Sequence, residues 1–217
     1  MVVRRAVAWL TVALLVATGV PHAAVADETD AGTVVARLAN DPRAPDAYSS
    51  NVELHVKLRI FPYFGFTFHG TSEYRRPGSY HFVLRGLPKL AAKFDDLRYE
   101  LGDPLSWNER FDIAIAPQST ADAPVVRLTP KKPGLVAYLD VQSDADGGHI
   151  VRATWTRHDG GVIVLTQTYE ADGKADVVVA QHATIDIPHM RADIDAHYAN
   201  ITLESPTLAT VPAAPTP

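Results

Sequence analysis

The chain of 217 residues contains no cysteine. That excludes disulfides, thiolate-bound zinc and thiol nucleophiles, so stability has to come from packing alone. Basic clusters are missing as well: Lys and Arg number 20 against 25 Asp and Glu, a formal charge of −5. A mildly acidic chain of this kind is a poor candidate for nucleic acid or for anionic lipid surfaces. No Gly-x-Ser-x-Gly elbow, phosphate loop or dinucleotide fingerprint occurs. The chain has 9 histidines, yet no His-x-His or His-x₃-His pair. His182, His189 and His197 stand too far apart for a local ligand motif, and His55, His69 and His158 fall at polar strand positions or in turns. No metal, no cofactor and no catalytic constellation is therefore expected.

Long apolar runs are confined to the beginning. Arg4 and Arg5 precede an apolar stretch from Ala6 to Val20, Pro21 breaks it, and Ala24-Val25-Ala26 offers a small-x-small cleavage site before Asp27. The stretch is shorter than the ~20 residues that cross a bilayer. It reads as a signal peptide over 1–26, which predicts export to the periplasm or the medium and a soluble mature protein. Its removal takes two arginines and no acids, moving the charge from −5 to −7. Residues 27–204 read as one domain. The tail 205–217, rich in Pro, Ala and Thr and without charge, is expected to be disordered.

What is present is mostly strand. Ala31, Val34, Val35 and Leu38 recur at helical spacing and stop at Asp41-Pro42. The period then shortens to two: Val52, Leu54, Val56, Leu58 and Ile60 alternate with Glu53, His55, Lys57 and Arg59. Phe64, Phe66 and Phe68 share the next strand face, and Phe61-Pro62-Tyr63 makes the first two strands a hairpin. Tyr80, Phe82 and Leu84 begin a third strand. From Leu87 to Glu100 the pattern turns helical, with Leu90, Phe94 and Leu97 on one stripe, as a short helix or an irregular lid. Strands resume at 111–116, 125–129, 135–141, 149–156, 162–169, 177–187 and 192–203. Three Asp-Gly pairs, at Asp146, Asp159 and Asp172, mark turns between them. The chain is thus mainly β with few helices (α+β), about ten strands in one curved antiparallel sheet with helices on its concave face.

Within this pattern the aromatics are concentrated. Phe61, Tyr63, Phe64, Phe66, Phe68, Tyr74, Tyr80 and Phe82 fall in one short stretch, largely in phase on adjacent strands. Any one of them reads as core. Together, on a curved sheet covered by few helices, they suit a concave apolar face that takes an acyl chain at ~0.8 kcal/mol per buried methylene. Asp95, Asp96, Glu100 and Asp103 form an acidic run that reads as the solvated face of a helix.

A further set of short motifs accompanies this order: Glu-x-Arg-Arg-Pro-Gly-x-Tyr from Glu73 to Tyr80, Leu-x-Pro-Lys from Leu128 to Lys131, and Tyr-x-Asn-Ile from Tyr198 to Ile201. In this arrangement the chain resembles the periplasmic lipoprotein-carrier (LolA/LolB-like) superfamily over most of residues 30–203. The resemblance implies an incomplete β-barrel closed by helices over an apolar cavity that holds acyl chains. By position, Arg76 and Pro77 match the family's turn between strands two and three, and Leu128 to Lys131 its strand before a lid. The insertion from Leu87 to Trp107 is unusually long. The expected ligand-lining residues are Phe64, Phe66, Phe68, Tyr80, Phe82, Leu84, Leu90, Phe94, Leu97 and Trp107. The implied function is a monomeric, non-enzymatic carrier or sensor of lipid or of lipoprotein acyl chains, with an envelope protein as donor or acceptor. The alternative is a β-sheet interaction module with a fully packed interior that binds a protein or envelope polymer.

Overall fold

The computed structural model describes residues 30–61, 63–76, 79–85, 101–173 and 175–204. The expectations for the leader, for the tail from Ser205, and for Leu90, Phe94 and Leu97 lie outside the described residues.

Alternation in the sequence becomes ten strands: β1 Ala47–Leu58, β2 Gly65–Arg75, β3 Ser79–Leu84, β4 Phe111–Ile115, β5 Val125–Pro130, β6 Val136–Ser143, β7 Ile150–Arg157, β8 Val162–Asp172, β9 Ala175–Ile187 and β10 Met190–Leu203. They form one antiparallel sheet in the order β3-β2-β1-β10-β9-β8-β7-β6-β5-β4. The two ends of that order are not paired to each other, so the described sheet is open and does not close into a barrel. Within β1–β3 and within β4–β10, strands consecutive in the chain pair antiparallel. Gly147, Gly160 and Gly173 all take positive φ (77°, 80° and 67°), as the second residue of each Asp-Gly turn requires.

The helix expected near residue 31 is α1, Ala31–Ala39, with Ala31, Val34 and Leu38 buried on one stripe. Its end is closed by Asn40, whose side chain donates to the Ala36 carbonyl at 2.8 Å. Arg76, in the turn after β2, donates to the carbonyls of Ala39 and Asp41 at 3.3 and 3.0 Å and ties that turn to the end of α1. A 3₁₀ turn at Pro104–Ser106, capped by the Asp103 carboxylate, leads into α2, Trp107–Arg110.

α1 lies on one face of the sheet, here called the concave face. Val34 and Leu38 meet Trp107, Phe111, Val126, Leu128, Leu139, Val141, Trp155, Ile163 and Ile185 in the main core. That cluster draws on β4 to β10. A second, smaller cluster sits further along the same face, with Val52, Val178, Ala196 and Tyr198 buried and Leu54, Phe82 and Leu84 against them. Gly70 is where β2 and β3 come closest: a Cβ there would fall 2.1 Å from the Val83 carbonyl.

Candidate ligand-binding face

Register fixes which side chains share the concave surface at the β1–β3 end. Phe66 stands opposite Val56, and Val56 opposite Ile194. Phe68 stands opposite Leu54, and Leu54 opposite Ala196. Leu84 faces Gly70, and Gly70 faces Val52. Phe64, Phe66 and Phe68 form a ladder with ring centroids 6.1 and 6.2 Å apart, the inner pair stacked. Phe82 meets Tyr198 edge to face at 6.5 Å.

The ladder runs from exposure to cover. Phe64 is 52% exposed, Phe66 43%, and Phe68, Leu54, Val56, Phe82 and Leu84 are half-buried. Among the described residues α1 packs near β4 and β5, and none of its side chains belongs to the smaller cluster at this end. The outcome is a strip of apolar side chains beside a closed core, on the same face and with no helix over it among the described residues. Small residues along it, Gly70, Ala192 and Ala196, keep the surface low.

Of the residues the sequence singles out for this face, the structure brings together Phe64, Phe66, Phe68, Phe82 and Leu84. Tyr80 pairs in register with Tyr74. Trp107 is placed elsewhere: it is fully buried in the α1 cluster, its indole N–H donating to the Leu101 carbonyl at 3.3 Å. After Lys131 the chain turns at once into β6, so the connection there is a turn over residues 131–135.

Two features of the concave side escaped the sequence. A cavity of about 160 Å³ lies under the end of α1 and the segment 101–105, lined by Leu38, Tyr48, Tyr74, Leu101, Tyr169 and Val178 among others. A volume near 150 Å³ accommodates a benzene-sized group, so it is too small for a whole acyl chain. Burial lifts the Tyr74 phenol above its ordinary range and keeps it neutral. Between the two apolar clusters runs a polar belt. Tyr198 donates to Gln181 at 2.7 Å, Gln181 to Gln167 at 2.6 Å, and Gln167 to the Ile150 carbonyl at 2.8 Å. Each member is satisfied by the next, as a buried polar network must be.

One wall of the cavity is a charged clamp. His149 stacks on Tyr169 at 4.4 Å, with Nδ1 3.1 Å from an Asp41 oxygen and Nε2 2.8 Å from an Asp176 oxygen. Arg43 bridges Asp41, Asp144 and Asp176 at 3.2, 3.3 and 3.6 Å. Burial works to raise the Asp144 pKa, but the amides of His149 and Gly148, the His149 ring and the Arg43 guanidinium outweigh it and hold the carboxyl below its ordinary value. Both ring nitrogens of His149 are engaged and the side chain is buried, so the cluster locks the loop after α1 to the β6–β7 turn and to β9.

His55 and His182 lie on the convex side of their strands. His55 contacts Glu53 at 2.6 Å and Thr67 at 2.9 Å, and His182 contacts Asp195 at 2.6 Å. Among the described residues no three His, Asp or Glu side chains are arranged to hold a metal ion, and no helix is long and apolar enough to cross a membrane.

No family model matches the sequence, and no curated protein is similar to it in sequence. Solved structures do share the fold. A DUF1329 family protein from Desulfovibrio piger superposes with a TM-score of 0.56 at 13% identity, covering 80% of this chain and 91% of that one. A LolA superfamily protein from Nitrosomonas europaea superposes at 0.50 and 8% identity, covering 81% and 94%. An outer membrane lipoprotein-sorting protein domain from Vibrio parahaemolyticus gives 0.50 and 9%, covering 74% and 86%. The chain has a LolA-like fold.

Proposed function

We propose that this protein is an exported, non-catalytic carrier or sensor that holds a lipid or the acyl chain of a lipoprotein against its concave face. One observation carries the reading: a continuous half-exposed apolar strip (Leu54, Val56, Phe66, Phe68, Phe82, Leu84) lies beside a closed core on an open LolA-like sheet. Contiguous exposed apolar surface is costly to keep unless it is used. An acyl chain needs no directional partner and gains about 0.8 kcal/mol for each methylene removed from water, which suits a strip made of apolar side chains. Phe64, Phe66, Phe68, Tyr80, Phe82 and Leu84 are the residues assigned to contact it. A periplasmic or secreted location follows from the leader, and an envelope protein would then deliver or receive the cargo.

The small size of the cavity under α1 supports a second reading, an interaction module whose apolar strip meets a protein or envelope polymer instead. Native mass spectrometry of the protein purified from its own host separates the two. The carrier reading expects an additional mass corresponding to a lipid, released by organic solvent. A protein recovered repeatedly without any lipid, and unable to take up added fatty acid, would establish the interaction module.

A further inference from the structure

We infer that the end of the sheet bearing the β1–β2 turn is a docking surface for an anionic lipid bilayer. The inference deepens the lipid-carrier reading and rests on it for its purpose, but not for its evidence.

Strand directions put the turns that follow β1, β5, β7 and β9 at the same end of the sheet. The β1–β2 turn exposes Phe61 by 85% and Tyr63 by 75%, and the β5–β6 turn exposes Leu135 by 68%. Neighbouring aromatics at such exposure are unfavourable in water. They suit the interface of a bilayer, where a ring buries its body and a phenol keeps its hydroxyl wet. The base of the turn that carries them is anchored to the sheet. The Arg59 amide donates to the Arg191 carbonyl at 2.8 Å, its guanidinium reaches the Ile185 carbonyl at 3.3 Å and Asp193 at 3.3 Å, and the Leu58 amide closes the turn on Phe64 at 2.8 Å. An anchored base limits the conformational entropy lost when the tip inserts. From the tip, the Phe64-Phe66-Phe68 ladder leads without a polar break to the concave strip, so the proposed point of contact and the proposed cargo face are continuous.

Charge supplies the orientation. The chain as a whole is acidic, which by itself argues against an anionic surface, but among the described residues folding distributes the signs unevenly between the two ends. The aromatic end carries Arg59, Arg110, Lys131, Lys132, Arg157 and Arg191. Its carboxylates are Glu109, Asp112, Asp159, Asp186 and Asp193, the last three each in an ion pair with an arginine of the same end. Lys131 and Lys132 are exposed and in no ion pair among the described residues. The opposite end holds Asp41, Asp46, Asp103, Asp144, Asp146 and Asp176 against Arg43, Arg75 and Arg76. A molecule with this distribution approaches an anionic surface aromatic end first, because the other end is repelled.

The test is co-sedimentation of the purified protein with vesicles of equal parts phosphatidylglycerol and phosphatidylcholine, and with vesicles of phosphatidylcholine alone. The wild type is expected to sediment with the anionic vesicles and to release at high salt. Phe61→Ser with Tyr63→Ser should lower the partition at least about tenfold, the effect of losing one or more buried aromatic rings. Lys131→Glu with Lys132→Glu should lower it about tenfold on anionic vesicles and change little on neutral ones. Both pairs are solvent-exposed, and circular dichroism confirms that the sheet is intact. Equal binding by wild type and variants, or no binding by any, would overturn the docking surface. So would a concentration-dependent dimer, seen by sedimentation velocity, that Phe61→Ser abolishes, since the tip would then cover a second copy of this chain. Uptake of a fluorescent fatty acid from solution is measured in parallel. The tip variants should retain it, so loss of docking with uptake intact tests this surface alone, and loss of uptake with docking intact tests the carrier reading alone.

Discussion

Replacing Phe68 by Glu puts a carboxylate in the middle of the proposed acyl face. Phe68 is half-buried, opposite Leu54 and stacked on Phe66 at 6.2 Å, and it belongs to neither of the two closed clusters. Truncating a fully buried Phe costs about 3–5 kcal/mol, so a half-buried one costs about 2. A domain with ~5–15 kcal/mol in hand survives that loss. The bound state fares differently. A carboxylate covered by an acyl chain loses solvation worth several kcal/mol, and a penalty of about 4 kcal/mol corresponds to roughly a thousandfold loss of affinity. Thr67→Glu is the internal control, one residue away on the same strand but exposed on the convex side. Titration with a fluorescent fatty acid, alongside far-ultraviolet circular dichroism, gives both quantities. The reasoning is refuted if folded Phe68→Glu binds within threefold of wild type, or if Thr67→Glu loses as much as Phe68→Glu. Unfolding of Phe68→Glu would place that residue in ordinary core.

Three further outcomes follow from the packing and the clamp. Trp107→Ala empties a fully buried site between α1 and the sheet and should cost about 3–5 kcal/mol, read as a fall in the denaturation midpoint at unchanged slope. Gly70→Ala forces a Cβ into the Val83 carbonyl and should shift β3 away from β2, seen as loss of amide protection in β3 with the β8–β9 ladder unaffected. Asp144 and Asp159 have carboxyl pKa values lowered in the folded state, so the unfolded chain binds protons more readily than the native one. Their contribution is fully present above the ordinary carboxylate range and is lost as pH falls from that range through their lower folded-state values. Stability measured between pH 6 and pH 3 should decline, and Asp144→Asn should flatten the decline.

The strands were legible because their chemistry is local. Val52 to Ile60 alternates with charged partners, and the same alternation places Phe66 and Phe68 on the face where the structure has them. The Asp-Gly pairs likewise announce turns through the φ that glycine permits. What stayed hidden depends on pairs far apart in the chain. His149 opens the strand expected over 149–156 and carries no local sign of its partners, yet it is buried by Asp41 and Asp176, 108 residues before and 27 after it. Gln167 and Gln181 look like ordinary polar strand positions until register sets them side by side. Trp107 sits in a helix of four residues, too short for any periodicity to show that it belongs under α1. The separation of charge between the two ends is invisible to a net-charge count, since neighbouring turns in sequence alternate between the ends.

The strand order carries a consequence for how the chain reaches this state. Every ladder but one joins strands consecutive in sequence; the exception is β1 with β10. The described sheet is therefore two local meanders, β1–β3 and β4–β10, joined along a single seam of paired residues running from Tyr48↔Leu203 to Leu58↔Ala192. Hairpins form in microseconds, whereas the seam bears the loop-closure entropy of nearly the whole domain. The seam should form late and set the folding rate, and until it does, the edges of β1 and β10 stand unpaired side by side with the aromatic ladder of β2. The moment of greatest exposure to self-association thus falls just before the two meanders meet, and substitutions in β1 and β10 are the ones that should lengthen it.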